Sequence, residues 1–207
     1  MVSLEVITIE TSDPTAGRFY EESLGLGERV RVQASAEPTS GFRGFLVGLV
    51  LRQPADVDEL IDRAAEAGAV AVKPATKSLW GYGGVLQAPD GTIVTLASSK
   101  KNTGPATTDI EDVVLQLGVE DVVASKQFYV ERGFDVGKSY GRKYVEFHTR
   151  PISFTLNRRG DLAKTAGVPA GGTGSHRLLI GGEGEAFTDP DGYVWAQHEQ
   201  IRADSRI

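Results

Sequence analysis

The sequence has no cysteine, one methionine and three histidines in 207 residues. The missing cysteines exclude disulfides, thiolate metal centres and a cysteine nucleophile, and make a reducing compartment the expectation. Basic residues are in deficit too: 22 lysines and arginines stand against 28 aspartates and glutamates, a formal net charge of -6. Such a chain lacks the basic surface of a general nucleic-acid binder. No apolar run approaches the length of a membrane span. The opening MVSLEVITIE has no basic stretch leading into an apolar core. A cytoplasmic protein with no membrane and no nucleic-acid partner is therefore expected. No nucleophile-elbow pattern is present either. What remains is an ordinary composition, 40% hydrophobic and 24% charged, long enough for one large domain or two small ones.

The chain repeats itself. The first half opens LEVITIETSDPTAGRFYEESLGLGERV and the second DVVLQLGVEDVVASKQFYVERGFDVGK. Each has an alternating apolar strand, an aspartate where the strand ends (Asp13, Asp121), and a short helix carrying Phe-Tyr (Phe19 and Tyr20, Phe128 and Tyr129). Each helix then meets a glycine, Gly25 or Gly133. Aspartate suits the helix N-cap, and glycine suits the left-handed residue after the last turn. Each half also closes on Pro-Asp-Gly and a strand, APDGTIVTLA at 88–97 and DPDGYVWAQ at 189–197. Pro-Asp-Gly is a good hairpin turn.

Between these marks the halves differ. FRGFLVGLVL (42–51) reads as a buried strand, followed by a helix in which Val57, Leu60, Ile61 and Ala64 recur at helical spacing before Gly68. VAVKP, the loop TKSLWGYGG and the strand GVLQ come next. KKNTGPATTD is a polar link. In the second half, RKYVEFHT and ISFTLNRR read as a hairpin, GDLAKTAGVPAGGTGS as a Gly- and Pro-rich loop, and HRLLIGG as the partner of FLVGLVL. Here no long helix intervenes before the last strand. The second half has lost what the first kept, and the first has little room for the second's central hairpin.

This order, written twice, resembles the vicinal oxygen chelate superfamily of glyoxalases, bleomycin-resistance proteins and extradiol dioxygenases. The resemblance implies an α+β fold of tandem βαβββ modules forming curved, partly open mixed β-sheet barrels. It gives two related halves, 1–100 and 110–200, joined by a linker at 101–109, with one cavity expected per half. Duplication within one chain makes a monomer or a homodimer the expected state.

Enzymes of that superfamily hold a divalent metal that chelates two neighbouring substrate oxygens. The resemblance places its ligands on the first strand (Val6, Val114), on the last strand (Thr95, Ala196), and on a partner strand near Leu49 or Val50 and at His176. Valine and alanine cannot ligate, and threonine is a poor ligand for iron, manganese, zinc or nickel. One imidazole does not hold a catalytic ion. His148 and His198 read as edge or exposed residues, although His148 shares a strand face with Glu146. The expectation is no metal, no cofactor and no catalytic residue.

Metal-free members of the superfamily often bind and sequester a toxic small molecule. The candidate ligand-binding residues here are Trp80 and Tyr82 in a glycine-rich loop, Tyr140, Tyr144 and Trp195. Thr8 and Gln116 share a face with the substituted first-strand positions, and His176 completes the set. The leading expectation is a protein that binds a small, aromatic molecule in a sheet cavity, with resistance by sequestration as its role. A metal-dependent lyase, isomerase or dioxygenase and a structural remnant with filled cavities are the alternatives.

Overall fold

The computed structural model describes residues 2–79 and 81–197. In chain order the strands are β1 (Leu4–Thr11), β2 (Val30–Ala34), β3 (Thr39–Gly41), β4 (Phe45–Leu51), β5 (Val70–Ser78), β6 (Gly81–Gln87), β7 (Ile93–Ser98), β8 (Ile110–Val119), β9 (Val136–Ser139), β10 (Tyr144–Phe147), β11 (Ser153–Arg158), β12 (Gly172–Gly174), β13 (Leu178–Gly182), β14 (Phe187–Thr188) and β15 (Val194–Gln197). The α-helices are α1 (Pro54–Glu66), α2 (Val122–Glu131) and α3 (Arg159–Ala166).

Two complete βαβββ units stand out, β4-α1-β5-β6-β7 and β8-α2-β9-β10-β11. In both, the fourth strand returns to lie parallel beside the first, β7 against β4 and β11 against β8. The two first strands pair antiparallel. The product is one eight-stranded sheet, β5-β6-β7-β4-β8-β11-β10-β9. A five-stranded sheet, β14-β15-β13-β1-β2, repeats this plan in reduced form. Its first strands β1 and β13 also pair antiparallel, and each carries a parallel neighbour, β2 or β15. The first of these reduced units keeps its helical segment and lacks a central hairpin. The second lacks the helix. This is the trade read from the sequence, but its consequence differs from the one expected there. Each sheet takes strands from both sides of the segment 101–109, so the halves interleave instead of folding around a cavity each.

The local signals act as physical chemistry requires. Asp121 caps α2 by accepting from the N–H groups of Val123 (2.9 Å) and Ala124 (3.1 Å). Gly133 follows at φ +84°. Asp13 instead accepts from Thr15 N–H (2.9 Å) and opens a 3-10 turn that leads into a π turn, Phe19–Ser23. The helix α1 buries Val57, Leu60 and Ala64. The link is not loose: Gln53 Nε2 donates to the Gly104 and Pro105 carbonyls (3.3 and 3.0 Å), and Asp56 Oδ1 accepts from Thr107 N–H (2.9 Å).

One apolar core joins the two sheets. It takes Val47, Leu115 and Phe154 from the larger sheet, Ile7, Ile180 and Trp195 from the smaller, and Tyr20, Leu60 and Tyr129 from the helical segments. The repeated Phe-Tyr and Pro-Asp-Gly motifs meet inside it. Tyr20 Oη donates to Asp90 (3.0 Å to Oδ1), and Tyr129 Oη donates to Asp189 Oδ2 (2.8 Å). In each half the helix tyrosine thus ties down the turn before the last strand.

One segment departs from its sequence reading. GDLAKTAGVPAGGTGS begins with α3 and is not wholly loop. Leu162, Ala163 and Ala166 of α3 pack on Leu46, Val85 and Ile93, which lie on the face of the eight-stranded sheet turned away from the main core. Lys73 Nζ donates to the Lys164 and Thr165 carbonyls (2.9 and 2.6 Å) and so caps the C-terminal end of α3.

Candidate functional site

The face of the eight-stranded sheet not used by the main core is only half covered, because α3 shields the part near β6 and β7. At its centre Gly48 on β4 pairs with both Val114 on β8 and Thr95 on β7. A Cβ on Gly48 would stand 2.8 Å from Gln116 Nε2, 3.3 Å from Thr95 Oγ1 and 3.4 Å from the Val114 Cβ. These four residues make a flat floor, and Gln116 Nε2 donates to Thr95 Oγ1 across it (3.5 Å). The smaller sheet repeats the arrangement: Gly181 on β13 pairs with Val6 on β1 and with Ala196 on β15.

Beside the floor of the larger sheet lies a cavity of about 390 Å³, reaching from Val50, Asp112 and Val114 across Thr155 to Tyr144, Glu146 and His148. Strand periodicity builds it. Tyr144, Glu146 and His148 alternate on β10 and its extension, while Asp112 and Val114 alternate on β8. Gly137 on β9 leaves room for the His148 ring, whose Cε1 would lie 3.0 Å from a Cβ there. The two carboxylates are paired. Glu146 Oε2 accepts from Tyr144 Oη (3.1 Å) and Lys138 Nζ (3.4 Å). Asp112 Oδ2 accepts from Ser153 Oγ (2.6 Å), which accepts from Arg150 Nη1 (2.9 Å). Burial, and then the Glu146 charge, push the Tyr144 hydroxyl far above its ordinary pKa, so it remains a proton donor and is no base. Tyr140 leans on Tyr144 with ring centroids 5.8 Å apart and is 66% exposed at the rim.

No protein-family model matches the sequence, and no curated protein does. Solved structures do match. Glyoxalase I from Zea mays superposes with a TM-score of 0.62 at 14% identity, over 99% of this chain and 95% of that one. A putative dioxygenase from Bacillus subtilis subsp. subtilis str. 168 superposes with a TM-score of 0.58 at 10% identity, over 96% and 89% of the two chains. The chain has the vicinal oxygen chelate fold. The interleaved pairing of complete and reduced units is therefore one variant of that fold.

In the vicinal oxygen chelate fold a metal would sit where first and last strands meet, which is the floor described above. The residues present do not fit one. Glycine and valine offer no donor, Thr95 offers a neutral hydroxyl, and Gln116 a neutral amide oxygen, a set without imidazole or carboxylate. The corresponding positions of the smaller sheet are Gly181, Val6 and Ala196. Among the described residues no three of His, Cys, Asp and Glu group to hold an ion. His176 is not a partner-strand ligand. It precedes β13, stacks on Tyr193 at 4.0 Å, and turns its ring nitrogens to the Arg43 and Asp191 carbonyls. The true partner-strand positions are the glycines 48 and 181, one step from the expected Leu49 and well beyond His176.

The residues singled out in the sequence do not form one cluster. Tyr140, Tyr144 and Gln116 share the open face of the larger sheet. Thr8 lies in the smaller sheet, 2% exposed, with its Oγ1 buried and without a partner. Tyr82 faces α1, where its hydroxyl donates to Asp58 Oδ1 (2.6 Å). The stretch around it is strand β6, not a bending loop, and Gly83 is there because a Cβ would run into the Leu96 carbonyl. Trp195 is 3% exposed in the aromatic core, donating from Nε1 to Tyr129 Oη (3.1 Å). Trp80 and His198 lie outside the described residues. Asp112, Lys138 and Glu146 were missed as cavity residues. Stepping back by two from Val114 to Asp112, and outward from Tyr144 to Glu146, would have found the carboxylates. Lys138 needed the β9–β10 register. No helix among the described residues is long and apolar enough to cross a membrane.

Proposed function

We propose that the protein binds a small molecule bearing an aromatic ring in the cavity of the eight-stranded sheet, without a metal, and that its role is sequestration. The observation that carries this reading is the pairing of a donor-poor floor (Gly48, Thr95, Val114) with an adjacent 390 Å³ cavity that Tyr144 helps to line. A volume of this size falls in the range of small-molecule sites. The Tyr140 and Tyr144 rings supply a stacking surface at its mouth, while Glu146, Lys138 and Asp112 supply the few polar groups that orient a ligand. The floor offers no Lewis-acid position, and Tyr144, held protonated, serves the ligand as a hydrogen-bond donor.

The test is a thermal-shift screen with planar aromatic natural products, followed by titration calorimetry. A binder should raise the melting temperature by mass action. Its affinity should fall about tenfold or more in Tyr144→Ala. A hit whose affinity is unchanged in Tyr144→Ala, or one converted to product by the purified protein, would overturn the reading.

A further inference from the structure

A different cavity, of about 290 Å³, opens at the Pro-Asp-Gly turn before β7. Its walls come from the approach to β4, from the turn itself, and from the chain just past α3. They are largely apolar: Phe42, Phe45, Ile93, Val168 and Pro169 contribute. One lining residue is charged, Arg43, and no acid lines the cavity. Arg43 is 9% exposed, and its guanidinium lies over the Phe45 ring, 5.1 Å from the centroid.

That guanidinium is short of partners. Nη2 donates to Thr92 Oγ1, and Nη1 has a long contact to the Glu10 carbonyl (3.5 Å). Nε is buried without a partner. Arg43 takes part in none of the ion pairs among the described residues. The neighbouring carboxylate, Asp90, is committed elsewhere. It accepts from Tyr20 Oη, from Thr92 N–H (2.9 Å) and from Thr92 Oγ1 (3.1 Å). A buried cation is costly unless it is paired and hydrogen-bonded, and burial accordingly lowers the Arg43 pKa.

We propose that this cavity is a binding site for a small organic carboxylate, anchored by Arg43. A planar guanidinium matches a carboxylate better than it matches a single hydroxyl. The apolar walls favour an organic acid over a bare inorganic ion, and the lack of any acid in the wall disfavours a cation. The volume lies at the low end for small-molecule sites, which suits a ligand of about the size of benzoate. Arg43 also borders a second cavity, but there Glu120 and Asp191 offset Arg43 and Arg159, so that lining carries no net positive charge, and few of its residues are apolar. The site is separate from the one beneath Tyr144 and does not rest on the function proposed for it.

Benzoate, with benzamide and benzylamine as its neutral and cationic counterparts, tests this by titration calorimetry on the full chain. Benzoate should bind with one-to-one stoichiometry. The affinity should fall about tenfold or more in Arg43→Gln, and by a similar factor on going to benzamide or benzylamine. Val168→Trp fills the cavity from a half-buried position while Arg43 stays in place, so it should abolish binding and carries the test if Arg43→Gln does not fold. Absence of benzoate binding, equal binding of benzoate and benzamide, or binding retained in Val168→Trp would overturn the proposal. Loss of benzoate in Tyr144→Phe would overturn it too, since the carboxylate would then occupy the other cavity.

Discussion

Removing one oxygen atom, in Tyr129→Phe, measures what the repeated motifs contribute. The ring would stay where it is, since it packs against Phe134, Phe154 and Trp195 at centroid distances of 5.1, 5.0 and 5.9 Å. The hydroxyl donates to the buried Asp189 carboxylate (2.8 Å) and accepts from Trp195 Nε1 (3.1 Å). A hydrogen bond to a charged group contributes about 1.5–3 kcal/mol, and orphaning a buried donor costs about 1–3 kcal/mol. We expect a loss of about 3 kcal/mol, allowing for partial relaxation around the indole. In a chain of this size that corresponds to a fall of about 6–12 °C in Tm. The other half supplies the control. Tyr20 Oη also donates to an aspartate, and each aspartate keeps two further hydrogen bonds, but Asp90 is only half-buried and can take water in place of the lost hydroxyl, whereas Asp189 is 5% exposed. Tyr20→Phe should therefore cost about 1 kcal/mol. Urea unfolding of both variants, read as midpoint shifts at constant m-value, decides the matter. Equal losses in the two variants would refute the argument. So would additivity of Tyr129→Phe with Asp189→Asn, because the pair would then not interact.

Burial raises the Asp189 pKa above its value in the unfolded chain. Folding therefore takes up a proton between the two values, and the stabilising contribution of this group is lost as pH rises through the folded value. Asp189→Asn should remove that component of the acid-side pH profile, and an unchanged profile in urea unfolding would contradict it. Leu162→Ala in α3 should cost about 3 kcal/mol by leaving a hole over Leu46, Val85 and Ile93, and a loss under about 1 kcal/mol would show that α3 is not packed as a plug. Protein purified from medium rich in nickel, zinc, manganese and iron should carry less than about a tenth of an equivalent of any of them by elemental analysis. Stoichiometric metal released by Gln116→Ala would place an ion on the floor after all.

The order of elements was legible because each of its signals is local. Alternation gives a strand, an aspartate followed by an apolar helix face gives a cap, and Pro-Asp-Gly gives a turn. None of these says which strand lies beside which. Val6 and Val114 were identified as the equivalent first-strand positions and Thr95 and Ala196 as the equivalent last-strand positions, yet it is Val114 and Thr95 that meet across Gly48 in one sheet, and Val6 and Ala196 that meet across Gly181 in the other. That arrangement depends on antiparallel pairing of first strands far apart in sequence, which no local pattern encodes. The glycines 48 and 181 were visible as an echo, FLVG and LLIG. A glycine there makes no chemical signal, however, and the meaning of Gly48 emerges only from what a Cβ would strike.

The same reasoning explains why the aromatics misled. A tryptophan or tyrosine in sequence is equally consistent with core and cavity, and burial decides between them. Trp195 and Tyr82 are held by Tyr129 and Asp58 in structural roles. Tyr144 alternates with buried Val145 and so turns to the open face. α3 was hidden by its own termini, since the Gly-Val-Pro-Ala-Gly-Gly that follows it masks the short Leu162, Ala163 and Ala166 stripe. Its position has a structural consequence. By covering Leu46, Val85 and Ile93 it closes one half of that face, and the cavity lined by Asp112, Tyr144 and Glu146 lies on the other half, on the side of β8 to β11. Gly48, Val114 and Thr95 offer that face few donor atoms, and the placement of α3 leaves it a one-sided cavity of defined lining.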